Sequence, residues 1–475
     1  MARPAHSAVS VLIAFALVCA LAAPLPAASA GEITPLATDL PGEPLSPGVQ
    51  VAGTVGPSSI DRRVYSIDLA AGERVRLTLD ADIAVADLEL RLYDPATTDL
   101  AELARRIAVS ATPITYPAVM EYLVPPDGSG TYYVVVAVFQ PLVQPADFTL
   151  RADVDAPQVC RLSGQDRYAT SIAISRSSFA TATAAVLATG ANYPDALAAS
   201  ALAGALDAPL LLVRDSIFTD AFQEMVFELR RLGVSDVYVV GGTAVISSAT
   251  TAYLTDTLQF DVVRLPGDNR YETARAVAEK VRQLVVAEGG TVDAAFLVRG
   301  DDFADALSAG PYAFSQRIPV LLTTSASLHP QAAGFIEARD ILDVTIVGGE
   351  AAVSPAAAAA ASNLNGGLTD VQRVSGASRF HTAANLADHA VGTRGWATWG
   401  YVGVATGLGF PDALSGAAAT GRRDGVLLLT RPAAFEPVAK VRMGANIGDV
   451  TTALLFGGPV VLSDALATEI DAMFP

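Results

Sequence analysis

The stretch Arg161-Leu-Ser-Gly-Gln-Asp-Arg-Tyr168 is written twice more, as Arg264-Leu-Pro-Gly-Asp-Asn-Arg-Tyr271 and as Arg373-Val-Ser-Gly-Ala-Ser-Arg-Phe380. Downstream of each copy a second phrase recurs: Tyr193-Pro-Asp-Ala-Leu197, Phe303-Ala-Asp-Ala-Leu307 and Phe410-Pro-Asp-Ala-Leu414. A third phrase is an apolar run ending in a glycine pair, Gly241-Gly242, Gly348-Gly349 and Gly457-Gly458. The first arginines stand 103 and 109 residues apart, the aspartates 110 and 107, the leading glycines 107 and 109. Residues 158–475 are therefore three copies of one unit of about 105 residues, too long for a solenoid repeat and long enough for a small α/β module. A site repeated three times suits repeated binding, because an enzyme needs its chemistry once.

Within the first copy, Tyr168–Ser178 has helical periodicity, Ala184–Ala188 is an apolar strand and Asp195–Leu206 an alanine-rich helix. Pro209–Val213 follows as a strand, Phe218–Leu232 as a helix, Asp236–Val240 as a strand and Ser247–Leu258 as a closing helix. The strands Ala295–Val298 with Pro319–Thr323, and Val402–Ala405 with Gly425–Leu429, repeat the order. Continuous apolar strands alternating with helices predict parallel sheets covered on both faces.

Upstream the pattern changes to alternation. Val64–Leu69, Val75–Leu79, Leu88–Tyr93, Tyr132–Val138 and Phe148–Ala152 read as short strands, punctuated by Ala71-Gly72, Asp94-Pro95 and Asp127-Gly-Ser-Gly130. Strands at this spacing predict an antiparallel β-sandwich. The expected organisation is a secretory leader over 1–30, a proline-rich linker over 31–48, a sandwich over 49–155, and modules over 158–260, 261–369 and 370–475. The leader reading rests on Arg3, the apolar run from Ala8 to Leu25 and the small-residue site Ala28-Ser-Ala30. Cys19 lies in mid-run after Val18, which does not suit a lipoprotein site. No other segment approaches the roughly 18 apolar residues of a membrane span. The C-terminus, Ile470-Asp-Ala-Met-Phe-Pro475, carries neither a hydrophobic tail nor a sorting signal, so an exported and released protein is expected unless something noncovalent retains it.

Composition narrows the partners. The net charge is −18, with 31 Lys and Arg against 49 Asp and Glu, which argues against general nucleic-acid or anionic-membrane binding. Lysine occurs only at 280 and 440, so positive charge is almost wholly arginine, the better fork for carboxylate or phosphate. Loss of the leader leaves Cys160 as the single cysteine and no internal disulfide. Neither a metal nor a cofactor is expected: His6, His329, His381 and His389 occupy no repeat-equivalent positions. Gly241-Gly-Thr-Ala-Val-Ile246 lacks the third glycine of a dinucleotide fingerprint, and no carboxylate pair stands in a glycosidase-like motif.

Each motif carries two readings. Asp195, Asp305 and Asp412 open helices, where a carboxylate pairs with free amides and the positive dipole end; or they face a ligand crevice at the strand carboxyl ends. The glycine pairs are tight turns into helices capped by Ser247, Ser354 and Ser463; or their amides hold an anion. Arg167, Arg270 and Arg379, each followed by Tyr168, Tyr271 or Phe380 and then by Thr170, Thr273 or Thr382, form seams between modules; or they contact anionic groups on a polymer.

Two resemblances follow from these residues. The segment over most of 50–154 resembles the bacterial pre-peptidase C-terminal domain, through Arg63-Val-Tyr-Ser-Ile-Asp-Leu-Ala-Ala-Gly-Glu73, Asp87–Asp94, Gly130-Thr-Tyr-Tyr-Val134 and Asp147-Phe-Thr-Leu150. Such domains accompany secreted peptidases and are implicated in binding, so an extracellular ligand of the sandwich is expected. The three motifs together resemble the cell wall binding repeat 2 family over 158–475, and three tandem copies are the family's usual number. That resemblance implies three Rossmann-like modules about a pseudo-threefold axis, holding an exported protein noncovalently to an anionic secondary polymer of a Gram-positive wall. Non-enzymatic anchoring at the cell surface is the expectation, with a wall-glycan-modifying enzyme and an adhesion or protease-associated module as alternatives. The implied ligand-binding residues are Arg167, Arg270, Arg379, Asp195, Asp305, Asp412, Tyr168, Tyr271 and the glycines 241, 242, 348, 349, 457 and 458. Phe380 in place of tyrosine, Ala377-Ser378 in place of an acidic or amide pair, and Ala304 in place of proline depart from the pattern and point to unequal sites.

Overall fold

A computed structural model describes residues 40–475 apart from 57–60, 82–87, 101–105, 110–116, 139–141, 143 and 304. The leader over 1–30, linker residues 31–39, Asp87 and Ala304 lie outside the described residues.

Three four-stranded parallel sheets carry the repeats. In the first, Ala184–Thr189 lies between Leu210–Val213 and Asp236–Val240, and all but Asp236 of these residues are buried. That explains their unbroken apolar composition: helices cover both faces, so no position points to water. The fourth strand, Asp261–Leu265, pairs Asp261 with Asp236 and Leu265 with Val240. It belongs by sequence to the second repeat and carries Arg264. Asp370–Val374 likewise completes the second sheet, beside Asp343–Val347.

Closure of the third sheet comes from the far end of the repeat region. Val159–Leu162 pairs in parallel with the strand Thr452–Phe456, Val159 opposite Ala453 and Leu162 opposite Phe456. Sheets and sequence repeats are thus out of phase by one strand, and the lent strand of the first repeat shuts the ring. A boundary drawn before each lent strand assigns it by sequence to one repeat while its hydrogen bonds assign it to the sheet of the preceding one.

At the centre, the helices Ala199–Ala205, Gly310–Gln316 and Pro411–Gly421 pack on one another. Their small residues permit the approach: a Cβ at Gly204 would stand 2.0 Å from the Phe314 carbonyl oxygen, and one at Gly421 would stand 2.4 Å from that of Pro311. The expected helix from Asp195 starts as a short 3-10 turn, Ala196–Ala198, before its α-helical part. The expected helix from Phe218 starts at Asp220, because Thr219 takes the cap position and its hydroxyl accepts from the Phe222 amide.

The N-terminal part is a sandwich, antiparallel throughout except for the two-residue strand Glu43–Pro44, which pairs in parallel with Arg62–Leu69. One sheet orders Glu43–Pro44, Arg62–Leu69, Gly130–Val138, Leu88–Tyr93 and Arg106–Val109; the other orders Gln50–Val55, Ala146–Asp155, Arg74–Ala81 and Ala118–Leu123. All five expected strands are present. Gln50–Val55, Arg106–Val109 and Ala118–Leu123 were not legible, being short or weakly alternating. Residues 43–45, expected in the linker, join the sandwich instead: Glu43 pairs with Tyr65, and Leu45 finds an apolar site at 3% exposure.

The sandwich is bolted to the ring by Arg422. Its guanidinium reaches Asp127 of the sandwich at 3.2 Å, Asp207 of the first repeat at 2.9 Å and the Ser178 carbonyl at 2.6 Å, and it lies 4.3 Å over the Phe179 ring. Tyr122 adds a hydroxyl bond to the Arg176 carbonyl.

Candidate functional site

The strand exchange brings the three motifs together. Past the carboxyl ends of each sheet, the aspartate and glycine pair of one repeat meet the arginine loop of the next. Asp412, Gly458, Arg167 and Thr170 line a cavity of about 410 Å³ at the seam between the third and first repeats. Asp305, Gly349, Arg379 and Thr382 line one of about 240 Å³ between the second and third. Asp195, the Gly241 turn and Arg270 meet at the remaining seam.

The leading glycine of each pair is required twice over. Gly241, Gly348 and Gly457 have φ of 108°, 121° and 116°, a region that favours glycine. A Cβ on them would stand 2.9, 2.8 and 2.7 Å from the nearer carboxylate oxygen of Asp195, Asp305 and Asp412. Their amides are spent on the lent strand, donating to the Leu265, Val374 and Leu162 carbonyls. The amides of Gly242, Gly349 and Gly458 make no hydrogen bond among the described residues. Ser247, Ser354 and Ser463 cap the following helices as expected.

The aspartates do not cap their helices. Asp195 and Asp305 make no side-chain cap bond, and Asp412 sits in a first turn whose cap residue is Phe410. Each carboxylate is instead turned across the seam. Burial raises all three carboxyls from the ordinary aspartate value, opposed at Asp195 by Arg270, at Asp305 by the Thr382 hydroxyl and Arg379, and at Asp412 by Arg167. Asp412 is pushed up to about 6. Thr170 and Thr382 accept from the Gly164 and Gly376 amides; the buried Thr273 hydroxyl lies near Asp195 but off hydrogen-bonding geometry.

The two arginines of each copy divide the work. Arg161, Arg264 and Arg373 are spent on backbone: their Nη1 atoms donate to the Gly457, Gly241 and Gly348 carbonyls at 2.8, 2.9 and 2.7 Å. Arg167, Arg270 and Arg379 each give Nη1 to a carbonyl of their own repeat, Gly190, Gly300 or Gly407, at 2.7 Å. Their Nη2 atoms have no partner among the described residues. These guanidiniums also lie over the rings of Phe410, Tyr193 and Phe303, at 5.6, 6.0 and 5.6 Å. The three rings meet edge to face, with centroids 5.3, 5.7 and 6.0 Å apart. Each arginine therefore serves the seam with one nitrogen and faces the cavity with another. The one signal of this ring trio in the sequence is an aromatic residue two places before each aspartate.

Tyr168 and Tyr271 stand elsewhere. Tyr168, 8% exposed, packs against Gly190 beneath Arg214 at 4.8 Å, and Tyr271 stacks on His329 at 3.9 Å. Phe380 fills the same place under Arg431.

An arginine nitrogen and a glycine amide without a partner among the described residues thus recur at every seam of the ring. The chain belongs to the Cell wall binding domain 2 (CWB2) family, whose model matches residues 161–251, 264–358 and 373–467, more than half of the sequence. It is 28% identical over 312 residues to the N-acetylmuramoyl-L-alanine amidase LytC of Bacillus subtilis, covering 66% of this chain and 58% of that one. It is 26% identical over 292 residues to the Amidase enhancer of the same organism, covering 59% of this chain and 36% of that one. The chain thus spans less than two thirds of either relative. Among solved structures, Cwp8 from Clostridium difficile superposes with a TM-score of 0.58 at 24% identity, over 67% of this chain and 52% of its own. Cwp6 from the same organism gives 0.59 at 16% identity, over 89% and 68%, and both show the fold.

Proposed function

We propose that the three seams grip an anionic secondary polymer of a Gram-positive wall, anchoring an exported protein without a covalent bond. The observation that carries this reading is the pairing, at each seam, of a free arginine nitrogen with an unpartnered glycine amide. On a chain of net charge −18, such donors are local exceptions that select an anion by position, not by bulk charge. Three moderate sites on one rigid ring give avidity along a polymer that no single site supplies. The sandwich, joined to the ring through Arg422, is the displayed cargo with an extracellular ligand of its own.

Sedimentation with purified walls tests the reading. Retention is expected to vanish when hydrofluoric acid strips the secondary polymers, and to fall with rising salt. Changing Arg167, Arg270 and Arg379 together to alanine should weaken retention at least ~100-fold, since about 1.4 kcal/mol is tenfold and each charge-assisted bond contributes about that much. Circular dichroism must show the triple variant folded; full retention by a folded triple variant refutes the assignment. A second reading, a wall-glycan-modifying enzyme, is favoured only by Asp412, whose raised carboxyl suits proton transfer near neutral pH. Peptidoglycan turnover abolished by Asp412→Asn would support it.

A further inference from the structure

One seam is built differently from the others. Beside the cavity between the third and first repeats lies a larger one of about 830 Å³, and the loop Gly164–Asp166 lines both. Phe218 stands at this second cavity with 92% of its surface exposed. Its counterpart in the third repeat, Phe435, is 3% exposed, and Leu328 of the second repeat packs against its module core. The cause is a shift of one residue. Ile217 takes the inward place in the first repeat, held by the Gln223 side-chain amide on its carbonyl at 2.8 Å, and Phe218 is turned out.

The polar wall around it is paired except for Asp220, so it carries no free positive charge. Arg214 pairs with Asp166 at 3.5 Å and Arg176 with Glu224 at 3.6 Å. An anionic ligand gains nothing from such a lining, whereas a polyhydroxylated one finds acceptors and donors on display. Val109 of the sandwich adds one side to a cavity otherwise lined by the first repeat.

We infer that Phe218 is a stacking platform for an uncharged hexopyranose unit of the wall glycan, beside the seam that grips the polymer. An exposed planar ring offers its face to the axial C–H surface of a sugar while the paired side chains take the hydroxyls. This rests on the reading that the chain binds wall polymer, but not on the anionic character of the seam ligand. It makes the first repeat the one that tells one glycan from another.

The test uses the whole chain with chitotetraose and cellotetraose as uncharged probes, read by saturation-transfer NMR on the sugar. Transfer to ring protons of at least one probe is expected, and Phe218→Ala should reduce it ~5- to 10-fold, the scale of one aromatic stacking contact. Thermal unfolding should not change, because an exposed ring packs on nothing. A polar replacement, Phe218→Ser, should behave as the alanine variant does. No transfer from either probe, or undiminished transfer with Phe218→Ala, overturns the assignment. The triple arginine variant separates the two ideas: it should keep tetrasaccharide transfer while losing intact walls. If it keeps intact walls the seam reading alone fails, and if it loses tetrasaccharide transfer the Phe218 platform is not independent and is overturned.

Discussion

Arg161 of the first repeat donates Nη1 to the Gly457 carbonyl of the third at 2.8 Å and to that of Leu462 at 2.7 Å. This contact spans the whole repeat region and is the clasp of the ring. Arg264 and Arg373 make the same bonds to Gly241 and Gly348, over 23 and 25 residues.

Removal of that clasp should free the lent strand. Arg161→Ala leaves partly buried carbonyls unpaired and is expected to cost about 2–3 kcal/mol in urea unfolding. The neighbouring Cys160 gives a local readout: burial pushes its thiol up to about 11, so it is inert in the native protein. In protein lacking residues 1–30, thiol labelling at pH 8 should quicken ~10-fold on Arg161→Ala, as the strand Val159–Leu162 detaches more often.

The two glycines of a pair should respond unequally. Gly457→Ala meets both a positive φ and a carboxylate oxygen at 2.7 Å, and should destabilise by about 1–3 kcal/mol. Gly458→Ala meets open space and should lie within about 0.5 kcal/mol of wild type. Adding Asp412→Ala to Gly457→Ala should recover part of the loss, leaving the φ strain, in a double-mutant cycle.

Asp412 makes stability depend on pH with a definite sign. Its folded carboxyl is raised to about 6 from 3.8, so the native state holds its proton where the unfolded chain has lost it. Stability should therefore fall as pH rises from about 4 to 6 and level off above, by roughly 3 kcal/mol at most. Asp412→Asn should erase that slope, unfold later than wild type at pH 7.5 and show no gain at pH 4. Polymer retention should strengthen below pH 6, where the neutral carboxyl no longer repels an anion beside Arg167.

The sandwich should lose its seat when Arg422 is removed. Arg422→Ala strands Asp127, Asp207 and the Ser178 carbonyl at an interface where the guanidinium is 13% exposed. A cost of about 2–4 kcal/mol is expected. Calorimetry should show the sandwich unfolding before the ring, as a second transition.

Recurring motifs and local periodicity determined the repeats, the parallel sheets and most of the sandwich, and the motifs together carried the resemblance to the family. Apolar strands such as Ala184–Thr189, and caps such as Ser354 before Pro355, are dictated by neighbours in sequence. The roles of Asp195, Arg270 and Gly241 were legible only as alternatives, because a carboxylate opening a helix has the same spelling whether it caps or turns away. Tertiary structure decided between them. The lent strand places the arginine loop of one repeat over the aspartate of the preceding one, a pairing of residues some 75 positions apart for Asp195 and Arg270 and across the whole ring for Asp412 and Arg167. Periodicity records which face of an element is buried, not which element comes to lie against it. The out-turned Phe218 is the same lesson in reverse: Ile217 and Phe218 are equally apolar in the sequence, and only packing chose which of them faces the water.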